Sequence, residues 1–376
     1  MLYVDCFAGA GKFEDGELGS PSIAIECLEK SFALRKDEGS LAPKVYMKFI
    51  ELNHAQDLIG NLTQQPKGRC EVISGKFEDK IIPLLQNIIN EHPKGLNVFL
   101  YVDPWGVKVL NAELFDAVAD VFDSSELLIN LNSFGFFRDA CRAMKVTRFD
   151  NEATIFENIL GDIEEYDSSA MDSVDELNAV AGGDYWQVIV NNYGNGSIDG
   201  YQAEKEFSEQ YKLRLRQKYK YVLDMPIRLK SGQHPKYRMV HACNHPDGCK
   251  LMAENIAKRT DRLVVDVQSG GQLSLFEQTA DNEVADDVLL EKNVRELLSK
   301  TTDFVRLNEF LAIFYNEFGV LCDVPRLSSG KSGSILKTLE KSGDIIVARS
   351  PELTGKNQPT KFWAESKDKT LSLKGK

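Results

Sequence analysis

The sequence predicts an α/β protein: a Rossmann-like doubly wound sheet with a closing β-hairpin and a helical insertion, followed by a C-terminal winged helix. Three observations carry this. Short apolar runs alternate with helically spaced segments from residue 2 to residue 131. Two β-rich runs, 219–225 and 237–243, flank the turn-like Lys230-Ser231-Gly232-Gln233. Three short amphipathic segments and a hairpin-like stretch follow a polar linker.

The strands are expected at 2–5, 45–50, 71–73, 98–102 and 127–131, and the helices at 21–34, from about 55, at 81–89 and at 112–122. An acidic stretch then breaks the rhythm and reads as a helical insertion, about 135–218. Residues 251–259 have helical spacing after the hairpin. The predicted domain therefore spans 1–265. Residues 266–286 read as a linker, 287–366 as the winged helix, with helices at 288–298, 307–318 and 334–339, and 367–376 as a basic tail. Strand 345–347 and Lys361-Phe362-Trp363 are expected to form the wing.

Composition sets limits. At 376 residues the chain is long enough for two domains, and 43% hydrophobic content is ordinary for a globular protein. No apolar run approaches the roughly 20 residues of a membrane helix. A strand broken by Asp5 at the N-terminus does not resemble a signal peptide, so no membrane and a cytoplasmic location are expected. Seven scattered cysteines without a CxxC pair read as reduced thiols. The net charge is -12, but residues 151–209 hold 14 acidic residues against one lysine. Residues 326–376 hold 11 basic against 5 acidic residues, which points to a polyanion partner at that end.

Ligands of open α/β sheets sit beyond the carboxyl ends of the strands. At the first end, Gly9 and Gly11 allow a tight turn and a close backbone approach, and Asp5 can accept from an ammonium group. Phe7 lies in the same turn. At the second, Glu51 can accept ribose hydroxyls and Asn53 follows it. At the third, Ser74 is polar and Phe77 can pack on adenine. At the fourth, Asp103, Pro104 and Trp105 face the reacting end. This order suggests S-adenosylmethionine (SAM) beside a planar substrate. The dinucleotide fingerprint fails because Glu14 stands where a third Gly or Ala belongs. A P-loop fails because residue 325 is Pro and no parallel strand precedes Gly330-Lys331-Ser332.

The segments Asp5-Cys6-Phe7-Ala8-Gly9-Ala10-Gly11-Lys12-Phe13, Gly19-Ser20-Pro21 and Asp103-Pro104-Trp105-Gly106 resemble the three-Cys-motif partner (TcmP) family. Residues 237–252 are similar too, so the resemblance covers roughly residues 1–260. It implies a bacterial methyltransferase-type fold and a three-Cys-motif protein as partner. It implies little about the substrate.

Amine-directed methyltransferases commonly carry an acid, two prolines and an aromatic. The acid and a proline carbonyl accept from the amine while the aromatic stacks on the base. Here Trp105 comes one position early and Gly106 replaces the aromatic, so Asp103 could instead serve a hydroxyl or a ring nitrogen. A base within a duplex would have to be flipped out. Asn130, Asn132 and Arg138 follow the fifth strand as candidate rim contacts.

In the C-terminal domain, Lys331, Ser332, Lys337 and Lys341 are placed on or before the third helix, which enters the major groove in winged helices. Within the linker, Gln272-Leu273-Ser274-Leu275-Phe276 looks like the peptide by which bacterial DNA enzymes bind the sliding clamp. His241, Cys243, His245 and Cys249 are ligand types, but their spacing matches no standard zinc site, and no metal is expected. The expected function is SAM-dependent methylation of nucleic acid, with DNA preferred to RNA. The alternative is a non-catalytic or nucleotide-sensing partner that binds nucleic acid and assists a second enzyme.

Overall fold

The computed structural model describes residues 1–37, 45–62, 69–92, 96–104, 106–107, 109–122, 124–151, 173–227, 235, 237–269, 286–330 and 333–376. Trp105, Lys331, Ser332, the 230–233 turn, residues 152–172 of the acidic stretch and the 272–276 peptide lie outside them.

Seven strands form one mostly parallel sheet in the order β3-β2-β1-β4-β5-β7-β6. They are β1 (Leu2–Asp5), β2 (Tyr46–Glu51), β3 (Cys70–Ser74), β4 (Asn97–Val102), β5 (Ser124–Leu131), β6 (Tyr221–Ile227) and β7 (Tyr237–Cys243). All four pairings among β1 to β5 are parallel. The arrangement is consistent with a Rossmann-like α/β fold, as the alternation of strand-like and helical runs predicts.

Between these strands run α1 (Ser20–Asp37), α2 (Ala55–Asn61), α3 (Phe77–Glu91) and α4 (Ala112–Val121). In α3 and α4 the apolar residues recur on one face. In α3, Phe77, Ile81, Leu85 and Ile88 are buried at spacings of four, four and three. Its Pro83 lies inside the helix. In α4 the Asn111 side chain caps the Glu113 amide at 2.8 Å. Ala8, Ile25, Val45, Met47, Phe49, Leu58 and Leu62 form one apolar cluster beside β1 and β2.

The described residues between β5 and β6 are largely helical: α5 (Ser133–Ala143), α6 (Arg148–Asn151), α7 (Val174–Ala181), α8 (Trp186–Gly194) and α9 (Gly200–Leu215). Aromatic packing joins them. Phe136 stacks on Phe207 at 4.1 Å between ring centroids and meets Trp186 edge-on at 5.9 Å. The buried Glu204 of α9 accepts Nε–H and Nη2–H bonds from Arg238 of β7 at 2.7 and 2.9 Å. Ser133 and Ser208 hydroxyls also donate to it.

The chain divides into two compact units, Met1–Tyr219 with Pro235–Val240, and Lys220–His234 with His241–Lys376. The second contains α10 (Pro246–Ser269), α11 (Asp287–Ser299), β8 (Val305–Arg306), α12 (Leu307–Phe318), α13 (Val324–Leu327), α14 (Ile335–Ser342), β9 (Ile345–Ser350) and β10 (Thr370–Gly375). Helix α10 runs to Ser269, so residues 266–269 are helical where a linker is expected. It packs on β6 and α12, and one apolar core runs from Tyr221 and Leu223 through Cys249 and Ala253 to Leu311, Leu336 and Leu373.

The small sheet corrects two expectations. Its order is β8-β10-β9, with β10 antiparallel to both neighbours. Residues 370–375 are therefore its central strand, not a basic tail. Leu371 and Leu373 are fully buried, and the alternation that seats them was masked by the surrounding lysines. Lys361-Phe362-Trp363 is not a strand. Trp363 is instead buried in the core, where its carbonyl accepts from the Ser328 hydroxyl at 3.1 Å. Among the described residues no helix is long and apolar enough to cross a membrane.

Candidate functional site

The parallel pairing of β1 to β5 brings Asp5, Glu51, Ser74, Asp103 and Asn130 to one edge of the sheet. Asp5 lies in register with Phe49 and Tyr101, and Glu51 with Ser74. Backbone bonds from Cys6 N–H to the Tyr101 carbonyl (2.9 Å) and from Ala8 N–H to the Ile50 carbonyl (3.0 Å) pin the following turn.

That turn needs its glycines. Gly9 and Gly11 have φ of +60° and +76°, where side-chain-bearing residues are strained. A Cβ on Gly11 would come within 2.7 Å of Leu58 Cδ1, so Gly11 serves packing. A Cβ on Gly9 would meet nothing within 4 Å, so its bare backbone faces open space. The Gly11 carbonyl accepts from Gly19 N–H (3.0 Å) and Ser22 Oγ (2.8 Å), and the Ala10 carbonyl from Asn61 Nδ2 (2.8 Å).

Asp5 is 0% exposed. Its carboxylate accepts from Ser20 Oγ at 2.6 Å and from Phe7 N–H at 3.3 Å. Burial pushes this carboxyl up to about 6, against those two bonds and with help from the charges of Asp103 and Glu51. The native state therefore keeps a proton that the unfolded chain releases near pH 4. Stability must fall as pH rises from there through 6. Asp5→Asn should flatten that slope and raise stability at pH 7.5 by on the order of 1–3 kcal/mol. Denaturant unfolding of both proteins at pH 4.5 and 7.5 checks this, and equal pH slopes would refute it.

Glu51 is a hub of the loop. Its Oε2 accepts from Gly9 N–H at 2.8 Å, and its Oε1 from the Asn53 and His54 amides at 2.8 and 3.0 Å. A carboxylate has about four lone-pair directions. Three are used, so Glu51 has capacity for one ribose-type hydroxyl, where the sequence suggested two. Asn53 takes part through its backbone and its side chain is exposed. Ser74 is exposed at the end of β3. Phe77 is 3% exposed and lies against Phe7 at 5.1 Å, so its ring is largely covered and the half-buried Phe7 is the more open of the two.

Asp103 is held from two sides. Tyr101 donates its hydroxyl to Oδ2 at 2.9 Å, and Asn130 donates Nδ2–H to Oδ1 at 2.8 Å. Burial, the Asp103 charge and this bond all push the Tyr101 hydroxyl above its ordinary range. The Oδ1 of Asn130 is closed to water and has no hydrogen-bond partner. Leaving such an acceptor unpaired costs about 1–3 kcal/mol. Pro104 is half-buried and Gly106 turns at φ +80°.

Sequence reasoning missed Tyr101 and Ser20. The signal for Tyr101 was available: two residues before Asp103 on a strand puts it on the same face. Ser20 carries no pattern, because its role depends on where the loop returns. Asn132 caps α5, accepting from Gly135 N–H at 2.8 Å. Arg138 is corrected as a rim contact: it is 8% exposed and pairs with Asp139 at 3.0 Å. The apolar stripe of α5 carries it into the aromatic layer.

In the second unit, α14 buries Ile335, Leu336 and Leu339. Lys341 is exposed, and Lys337 reaches back to the Gly330 carbonyl. His241, Cys243 and Cys249 are buried, His245 is exposed, and no metal-binding group of His, Cys, Asp or Glu occurs among the described residues.

No protein-family model matches the chain, and no curated protein matches it.

Proposed function

We propose that the chain is a SAM-dependent methyltransferase acting on nucleic acid, DNA in preference to RNA. The observation that carries this reading is the convergence of Asp5, Glu51 and Asp103. They stand at the ends of β1, β2 and β4, and the charges of the last two act on the first. Such a field favours a cationic nucleoside and opposes the phosphates of a dinucleotide or a nucleoside triphosphate. SAM carries both a sulfonium and an ammonium charge.

The residues fit that group. Gly9 offers bare backbone, Glu51 has capacity for a ribose hydroxyl, Phe7 is the apolar neighbour, and Asp5, fully buried, holds the turn through Ser20 Oγ and Phe7 N–H instead of touching the ammonium. Bound there, SAM supplies an electrophilic methyl group. The chain's part is to orient the acceptor: Asp103 receives a hydrogen bond from it, and the fixed carboxylate does not reorganise as charge develops. A strand inserted between β5 and β6 also agrees with the methyltransferase arrangement.

The second unit supplies the nucleic-acid contact in this reading. We read α11, α12 and α14 with the three-stranded sheet as a winged helix, in which α14 would enter the major groove and Lys331, Ser332, Lys337 and Lys341 would meet the DNA. A cytoplasmic setting, a three-Cys-motif partner and clamp binding through residues 272–276 complete the proposal. Gly106, where amine-directed enzymes place an aromatic, favours a second reading: a non-catalytic partner that binds nucleic acid.

Calorimetric titration with SAM and NAD tests the site. SAM should bind, NAD should not, and Asp5→Ala or Glu51→Ala should weaken SAM binding roughly ten- to hundredfold. Tritiated-methyl transfer to DNA, RNA and protein then separates the two readings. Nucleic-acid binding with neither SAM binding nor methyl transfer favours the non-catalytic or nucleotide-sensing partner, and tight SAM binding with no label in any pool sinks the methyltransferase reading.

A further inference from the structure

We propose that the arm joining β9 to β10, residues 351–369, together with Lys374 of β10, is a sequence-indifferent grip on a phosphate backbone, and that it carries more of the nucleic-acid contact than α14 does. This rests on the reading that the second unit meets nucleic acid and deepens it. The arm is ordered without a core. Residues 351–359 are all exposed. They are nevertheless tied to one another. Thr354 N–H donates to the Gln358 carbonyl at 2.8 Å, Asn357 N–H to the Thr354 carbonyl at 2.9 Å, and Thr360 N–H to the Glu352 carbonyl at 2.8 Å. The Thr360 hydroxyl closes the base of the hairpin on the Pro351 carbonyl at 2.7 Å. At the root Trp363 is buried, and Arg349 of β9 donates Nε–H to the Phe362 carbonyl at 3.0 Å. A hairpin already ordered by its own backbone has little freedom left to lose when a partner arrives.

Charge selects that partner. Elsewhere in the second unit Arg295, Lys300, Arg306, Arg326 and Arg349 each pair with one or two carboxylates. On α14, Lys337 is spent on the Gly330 carbonyl and Glu340 on Arg349, which leaves Lys341. Lys356, Lys361, Lys367, Lys369 and Lys374 have no carboxylate partner among the described residues. Two of them are held over rings: Lys369 Nζ lies 5.8 Å from the centre of Phe362, and Lys374 Nζ 5.1 Å from that of Phe304. A ring orients an ammonium without neutralising it.

The acids of the arm oppose this only in part. Glu365 is spent on the Arg306 guanidinium and on the Asn308 and Leu371 amides, so Glu352 and Asp368 are the acids left exposed. A paired cation must leave its carboxylate before it meets a phosphate, and an unpaired one need not. Unpaired lysines in one short stretch match the repeating charge of a phosphate backbone. Contacts of that kind carry no sequence information. A lipid surface would ask for apolar groups to bury, and Leu353 is the one large apolar side chain the arm exposes.

Fluorescence anisotropy of a short labelled duplex, titrated with the full chain across roughly 50–200 mM salt, tests this. Each phosphate contact adds about 0.9 to the steepness of log K against log salt. Lys356→Gln with Lys361→Gln should lower that steepness by about 2 and weaken binding equally for two unrelated sequences. Lys341→Gln should lower it by about 1 at most. Glu352→Gln removes an opposing charge and should tighten binding, a gain that misfolding does not mimic. An unchanged slope in the double variant, a larger loss in Lys341→Gln, or a loss confined to one sequence overturns the proposal and leaves the nucleic-acid reading standing. A chain that binds no duplex, or binds phosphatidylserine vesicles in its place, overturns the proposal together with that reading, while calorimetry with SAM still reads the cofactor site. Melting curves establish that the variants are folded.

Discussion

Arg238→Ala should lower the melting temperature by on the order of 10 °C. Glu204 is fully buried and receives four hydrogen bonds, two of them from the Arg238 guanidinium. Removing the guanidinium leaves a carboxylate in an apolar layer with two hydroxyl donors. Breaking one side of such a pair costs about 3–5 kcal/mol, because the remaining charge has lost its compensation. At about 2–4 °C per kcal/mol, that is a shift of roughly 6–20 °C. The paired substitution Glu204→Leu with Arg238→Met removes both charges and should return most of the loss, since buried pairs often exchange for apolar residues at little cost. Thermal unfolding of the single and double variants decides it. A single variant melting within 2 °C of wild type would mean the pair is not the tie between α9 and β7 described above.

Ending the chain at Ser269 should have a still larger effect on the β6 edge. Tyr221, Leu223, Cys243, Cys249, Ala253 and Ile256 belong to the same core as Leu311, Leu336 and Leu373. Truncation would expose that face. Burying each large apolar side chain contributes about 1.5–3 kcal/mol, so the summed loss is on the order of 10 kcal/mol, comparable to the whole stability of a domain. The truncated chain should bind hydrophobic dye, lose protection in β6 and α10, and aggregate. Hydrogen exchange by mass spectrometry reads this directly. Native-like protection of residues 221–227 in the truncated chain would show that the first 269 residues fold without the rest.

Much of this was legible in the sequence, for physical reasons that differ by element. The five parallel strands were readable because each is a short apolar run flanked by helical spacing, and the turn between Asp5 and Gly11 because only glycine tolerates its backbone. Strand β10 was hidden: a run of lysines around Leu371 and Leu373 reads as a solvated tail until its partners are known. The reach of α10 into the linker and its shared core with α12 are long-range facts with no local signal. At the site, the carboxylates Asp5, Glu51 and Asp103 could be placed by topology alone. Their partners could not. Ser20 reaches Asp5 across fifteen residues and Asn130 reaches Asp103 across twenty-seven, and such pairings are set by how strands are registered.

The position of β10 bears on the order in which the protein is made. Strands β8 and β9 are each paired to β10, and the core those strands close also holds Tyr221 and Leu223 of β6. A ribosome reaches residue 375 about 150 residues after it has made β6. At 5–20 residues per second, that is a wait of roughly 8–30 s. Once β7 has followed, the strands β1 to β5 have every partner they need, while β6 has only part of its apolar cover. The nascent chain therefore carries a finished parallel sheet with one unfinished margin, and that margin is where a chaperone would find its substrate.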